Sequence, residues 1–80
     1  MGQEKQPYNV EAIQKACQLV GSAHKLSQLT GTSYMTVQKW RHGKATPSPL
    51  NCMRVEKATH GLIKKEEIRP EFDWINFSLF

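Results

Sequence analysis

Residues 22–43, SAHKLSQLTGTSYMTVQKWRHG, decide how this 80-residue chain folds. At helical spacing Leu26 and Leu29 turn inward on one short helix, and Thr30-Gly31-Thr32 then breaks the pattern. A second helix follows, with Val37 and Trp40 on one face and Gln38, Lys39 and His42 on the other. This is the outline of a helix-turn-helix. Each position meets a physical need: Ser27 is small where two helices cross, Gly31 can take the positive φ of a tight turn, and Val37 with Trp40 anchors the second helix while its outer face stays free.

Working outward, Asn9 is placed to cap a first helix over 10–20, with Val10, Ile13, Cys17 and Val20 as its apolar stripe and Gly21 as its stop. Ser22 caps the second helix, about 23–29, whose Ala23, Leu26 and Leu29 face that stripe. Thr32 or Ser33 caps the third, which runs from Tyr34 to His42 and ends at Gly43. The connector KATPSPL leads to Ser48 and Pro49, a cap followed by a first-turn proline, opening a fourth helix that reaches about Thr59. Cys52, Val55 and Ala58 or Thr59 give its inner face, Leu50 and Met53 flank it, and His60-Gly61 closes it. A single turn over 64–69 is pinned by Ile63 and Ile68 and stopped before Pro70.

The ends differ from this middle. Residues 1–8 are polar and aperiodic, a flexible leader; residues 9–71 form the helix-turn-helix domain. Residues 72–80 make an aromatic tail that exposes too much apolar surface if left in water. Phe72 and Trp74 are expected to fold back over the helices, and Ile75, Phe77, Leu79 and Phe80 are candidate dimer contacts.

At this length one small core is built from short helices, with no deep catalytic cleft. Hydrophobic residues at 39% and charged residues at 22% suit a folded domain rather than a disordered one. Cys17 and Cys52 each sit in an apolar helical pattern, so buried free thiols are expected. His24, His42 and His60 match no metal-ligand spacing, and neither metal nor cofactor is expected. An enzyme is not expected either, nor a small-molecule substrate: there is no glycine-rich phosphate loop, and the adjacent Glu66 and Glu67 diverge by about 100° on a helix. There is no signal-peptide core or membrane span, which points to a cytoplasmic protein.

The net charge of +4 acquires meaning from its distribution, because Lys39, Arg41, His42 and Lys44 cluster beside the second motif helix. With Val37 and Trp40 inward, Met35, Gln38, Lys39 and His42 turn outward, with Tyr34 and Arg41 on the borders. Gln38 could pair with adenine through both ends of its amide, Lys39 could donate to guanine, and Met35 could meet a thymine methyl; Tyr34 and His42 complete the base-facing set. Ser22, Thr32, Ser33, Arg41 and Lys44 suit phosphates, which orient a protein on the duplex without reading sequence.

LSQLTGTSYMTVQKWRHGKATPSP, the helix end VEKATHG and IKKEEIRPE together resemble the small phage and prophage regulators of the Cro type, and within them the YdaS-like antitoxin family. The resemblance covers about residues 11–71, its more specific parts being the spacing of Val37, Trp40 and Gly43, the proline-containing connector, Glu56-Lys57-Ala58-Thr59 before Gly61, and Glu67-Ile68-Arg69-Pro70. It implies an all-α, lambda-repressor-like bundle of about five helices that binds a palindromic double-stranded DNA operator, as a homodimer, and represses transcription in a phage switch. An antitoxin-type module that masks a partner through the aromatic tail is the alternative. Ala23 stands where such repressors commonly carry glutamine, so a phosphate clamp is missing unless Ser22 or Lys25 serves, and Ser27 stands where alanine is usual.

Overall fold

The computed structural model describes residues 7–77, and among them every element is helical. Helix α1, Val10–Val20, starts where Asn9 accepts the amide of Ala12 at 3.3 Å and stops where Gly21, at φ 117°, returns its own amide to the Cys17 carbonyl. Helix α2, Ala23–Thr30, is capped by Ser22, whose hydroxyl accepts the Lys25 amide at 3.0 Å. Gly31 then takes the left-handed conformation, φ 71°, and Thr32 bonds back to the Ser27 carbonyl at 3.0 Å.

Helix α3, Tyr34–Arg41, begins on Ser33, which accepts the Thr36 amide at 3.1 Å. It ends one residue earlier than the spacing predicts: His42 is its cap, and Gly43 turns the chain so that Lys44 donates to the Lys39 carbonyl at 2.8 Å. Ser48 and Pro49 open α4, Pro49–Ala58, as expected, and Gly61 donates to the Glu56 carbonyl at 2.8 Å to close it.

The core lies where α2 packs on α3 and α4, with α1 across α2 and α3. Ile13, Leu26, Val37, Trp40, Cys52 and Val55 are fully or almost fully buried there. Both cysteines are buried free thiols, and burial pushes Cys52 up to about 11 and Cys17 upward as well, so neither is a ready nucleophile.

Three expectations change. Leu29 does not face the core; it is 48% exposed, while Ser27 and Thr30 are buried. At 100° per residue Ala23, Leu26, Ser27 and Thr30 fall within an arc of about 100°, and Leu29 lies about 60° outside it. The buried hydroxyls are satisfied locally, Thr30 by the Leu26 carbonyl at 2.8 Å and Ser27 by the His24 carbonyl at 2.6 Å, so they enter the core without an orphaned group. Leu50 and Met53, which flank the inner face of α4, are themselves exposed.

The second change concerns the leader. Its residues 1–6 lie outside the described part, but Tyr8 is a core residue whose hydroxyl donates to the Trp40 carbonyl at 2.6 Å. Between Pro7 and Asn9 no apolar periodicity reveals this in the sequence, because the partner is 32 positions away.

The third is the C-terminal corner. Helix α5, Lys65–Ile68, is capped by a carboxylate from another helix: Glu56 accepts the Lys65 amide at 2.9 Å. A further turn, α6, Trp74–Phe77, follows. Phe72 and Trp74 fold back as predicted, with Trp74 buried and its indole donating to the Arg69 carbonyl at 2.9 Å. Phe77 joins them instead of standing free as a dimer contact, its ring meeting Phe72 at 5.5 Å and Trp74 at 5.8 Å, edge to face. Ile75 remains outside, 79% exposed, and Leu79 and Phe80 lie beyond the described residues.

Candidate nucleic-acid interface

Helix α3 presents two faces. Val37 and Trp40 are buried, Met35, Lys39 and His42 are exposed on the far side, and Tyr34 is exposed at its border. Met35, 64% exposed, fixes the phase of the helix and agrees with the outward reading. Positions 35, 38, 39 and 42 are spaced three and four apart, so they form one strip along the outer surface.

Gln38 is only half exposed, and its Oε1 is buried without a hydrogen-bond partner. A two-point contact with adenine uses both ends of that amide, so such reading requires the side chain to swing outward.

The strip is braced from neighbouring helices by contacts absent from the sequence reading. The His24 ring on α2 stacks on Tyr34 with centroids 4.2 Å apart and planes 15° off parallel. Gln14 on α1 donates to the Arg41 carbonyl at 3.2 Å, tying down the end of α3. The only local hint was chemical: aromatic or amide side chains at positions the apolar pattern left outside.

Of the expected phosphate set, Ser22 and Arg41 line one polar depression of about 360 Å³, together with Gln14, Gln18 and the base-facing candidate His42. Gln18 lines the same depression as Ala23, the motif residue that itself has no amide. Ser33 and Thr32 stand apart from that depression. The Ser33 hydroxyl holds the Thr36 amide and lies 2.9 Å from the Thr36 hydroxyl, and the Thr32 hydroxyl pairs with Thr30 at 2.8 Å. Both are already employed in shaping the turn. Lys44, beyond Gly43, is exposed.

The charge around these residues is of one sign. Between Glu11 and Glu56 the chain carries Lys15, Lys25, Lys39, Arg41, Lys44 and Arg54 and no aspartate or glutamate. No group of three or more metal-ligating side chains occurs among the described residues, and no helix of them is long and apolar enough to cross a membrane.

A family described as "Bacterial toxin YdaS" matches residues 13–77, which takes in all of α2 to α6 and most of α1. The chain belongs to the YdaS family. That description reads toxin, where the resemblance implied an antitoxin. A curated YdaS protein from Escherichia coli (strain K12), named "Putative transcriptional regulator YdaS", is 33% identical over 63 residues, covering 79% of this chain and 64% of that protein. The match therefore spans a little under two thirds of the E. coli YdaS relative. The "Regulatory protein cro" of Pseudomonas phage D3 is 33% identical over 54 residues, covering 68% of this chain and 74% of that protein. Both names are those of regulators rather than enzymes. No solved structure matches this YdaS-family chain.

Proposed function

We propose that this chain is a sequence-specific, double-stranded DNA-binding transcriptional regulator that seats α3 in the major groove. The observation that carries the reading is the strip on α3, with Met35, Lys39 and His42 exposed around Gln38 while Val37 and Trp40 bury the opposite face. A helix presented in this way from a helix-turn-helix is the geometry that reads base edges. The acid-free run from Glu11 to Glu56 supports it, because phosphates are met without repulsion. The regulator names of the E. coli and phage D3 relatives point the same way.

On this reading Gln38, Lys39 and Met35 read bases, Tyr34 and His42 border them, and Ser22, Arg41 and Lys44 with Gln18 hold the backbone. Ser33 and Thr32 act through the shape of the turn. The chain acts as a Cro-like repressor, two copies occupying a palindromic operator with their α3 helices about 34 Å apart. Ile75, exposed at the C-terminal corner, is the described candidate for the contact between copies.

Selection of preferred duplexes from random DNA, followed by titration over a range of salt, tests this. Lys39→Ala and Gln38→Ala are expected to relax preference at particular base pairs, by about 1–3 kcal/mol each. Lys44→Ala should weaken all sites alike and reduce the salt slope by about one. Absence of any preferred duplex, with binding that disappears steeply in salt, would sink the proposal.

A further inference from the structure

On another side of the molecule, the C-terminal ends of α1, α2 and α4 leave between them an open groove of about 900 Å³. Its wall carries three of the large apolar residues that the fold leaves in water: Leu19, Leu29 and Leu62, the last 67% exposed. Leu62 is held there by ordered backbone. Its amide bonds to the Thr59 carbonyl at 3.1 Å, and its neighbour Ile63 is buried with its amide on the Thr59 hydroxyl. Single exposed leucines are ordinary, but three around one concavity are not.

The charges at this groove are all positive. Lys25, Arg54 and Lys57 line it, none has an ion pair among the described residues, and no aspartate or glutamate is among the residues lining it. Glu56, next to Lys57 in the chain, is engaged with Lys65, both by ion pair at 3.8 Å and as the cap of α5. The helix ends offset these cations only in part. The amides of Gly31, Thr32, His60 and Gly61 take up the Gln28, Ser27, Lys57 and Glu56 carbonyls near those ends.

We propose that this groove docks an acidic amphipathic helix of a partner protein, with apolar residues at helical spacing against Leu19, Leu29 and Leu62 and flanking carboxylates on Lys25, Arg54 and Lys57. Charge complementarity selects this occupant. A second copy pairing through the same face would set like cations against one another, and phosphates alone would leave the leucines uncovered. Helix-in-groove docking of this kind reads apolar anchors three and four positions apart. The proposal does not depend on the DNA reading, since the groove excludes every residue of the α3 strip.

The test is an amide-resolved NMR titration of the full chain with a synthetic helical peptide bearing Leu on one face and Glu on its flanks, beside a twin in which every Glu is Lys. The expected result is shifts confined to residues 19–31 and 54–62 with the Glu peptide and none with the Lys twin. Leu62→Ser and a combined Arg54→Glu, Lys57→Glu variant should each weaken binding at least about tenfold, or 1.4 kcal/mol. Leu62→Ser should change neither thermal stability nor affinity for a mixed-sequence duplex. No shifts, or equal shifts with both peptides, overturns the proposal. So does conversion of a dimer to a monomer by Leu62→Ser, which would seat a second copy there. Absence of duplex binding alongside groove-confined shifts removes the DNA reading and leaves this one standing.

Discussion

The helix-turn-helix and the C-terminal corner each close on a buried tryptophan, yet they are held by different means. Around α2 and α3 the restraints are local hydrogen bonds: Ser22 to Lys25, Thr30 to Leu26, Thr32 to Ser27 and Ser33 to Thr36. Small and polar residues thus fix the angle at which the outer strip is presented. At the corner the restraints are mainly rings and two cations, with Phe72, Trp74 and Phe77 meeting edge to face, the Arg69 guanidinium 4.8 Å from the Phe72 ring centre and the Lys65 ammonium 5.8 Å from that of Trp74. Arg69 also reaches the Pro47 carbonyl at 3.2 Å, so the corner grips the connector that follows α3. The motif is shaped by geometry and the corner by adhesion; the first sets the surface, the second holds the bundle around it.

The sharpest way to break that contrast is to remove each tryptophan. Trp40→Ala takes away the side chain at the centre of the core and should cost about 3–5 kcal/mol, much of the stability of a domain this small. Denaturant unfolding should find the variant marginal or unfolded. Trp74→Ala should fall at the lower end of that range and loosen the corner while α1 to α4 remain helical. Equal collapse in both would mean that the corner is part of one indivisible core.

Tyr8→Phe probes the thread that joins the motif to the N-terminal side. It keeps the ring and removes the hydroxyl that donates to the Trp40 carbonyl, so the expected loss is about 1–2 kcal/mol, measured as a lower denaturant midpoint at unchanged slope. Gly31→Ala should cost about 1–2 kcal/mol. A Cβ there meets nothing within 4 Å, so the whole penalty comes from the left-handed backbone at φ 71°. A much larger loss would show that the turn carries packing as well as direction.

These contacts also mark what could be read in the sequence. Helices α1 to α4 begin and end within a residue or so of the expected places, because caps and glycine stops act over three to five positions and are visible as residue types. The outer strip was legible for the same reason, from 100° steps away from Val37 and Trp40. What was not legible depends on the angle between elements. Leu29 looked inward because Leu26 was, and only the crossing of α2 on α3 and α4 selects Thr30 in its place. Tyr8 on Trp40, His24 under Tyr34, Gln14 at the end of α3 and Glu56 capping α5 each join residues from different elements. No local pattern announces them.

The smallest expected effect concerns Ile75, the one large apolar side chain among the described residues of the corner that stays outside it. Phe77 and Ile75 lie on the same turn, but Phe77 packs on Phe72 and Trp74 while Ile75 stands 79% exposed. Ile75→Ser should therefore shift the stability of the isolated chain by no more than about 0.5 kcal/mol, as surface changes usually do. Phe77→Ser should cost more, since it removes two ring contacts and leaves a gap beside Trp74. If two copies meet through this corner on DNA, Ile75→Ser lowers affinity for a two-half-site duplex while leaving a single half-site unaffected, and it removes any dependence of the thermal midpoint on protein concentration. Should neither quantity move, Ile75 is an ordinary surface residue, and the spacing of two α3 strips must be set by another face of the bundle.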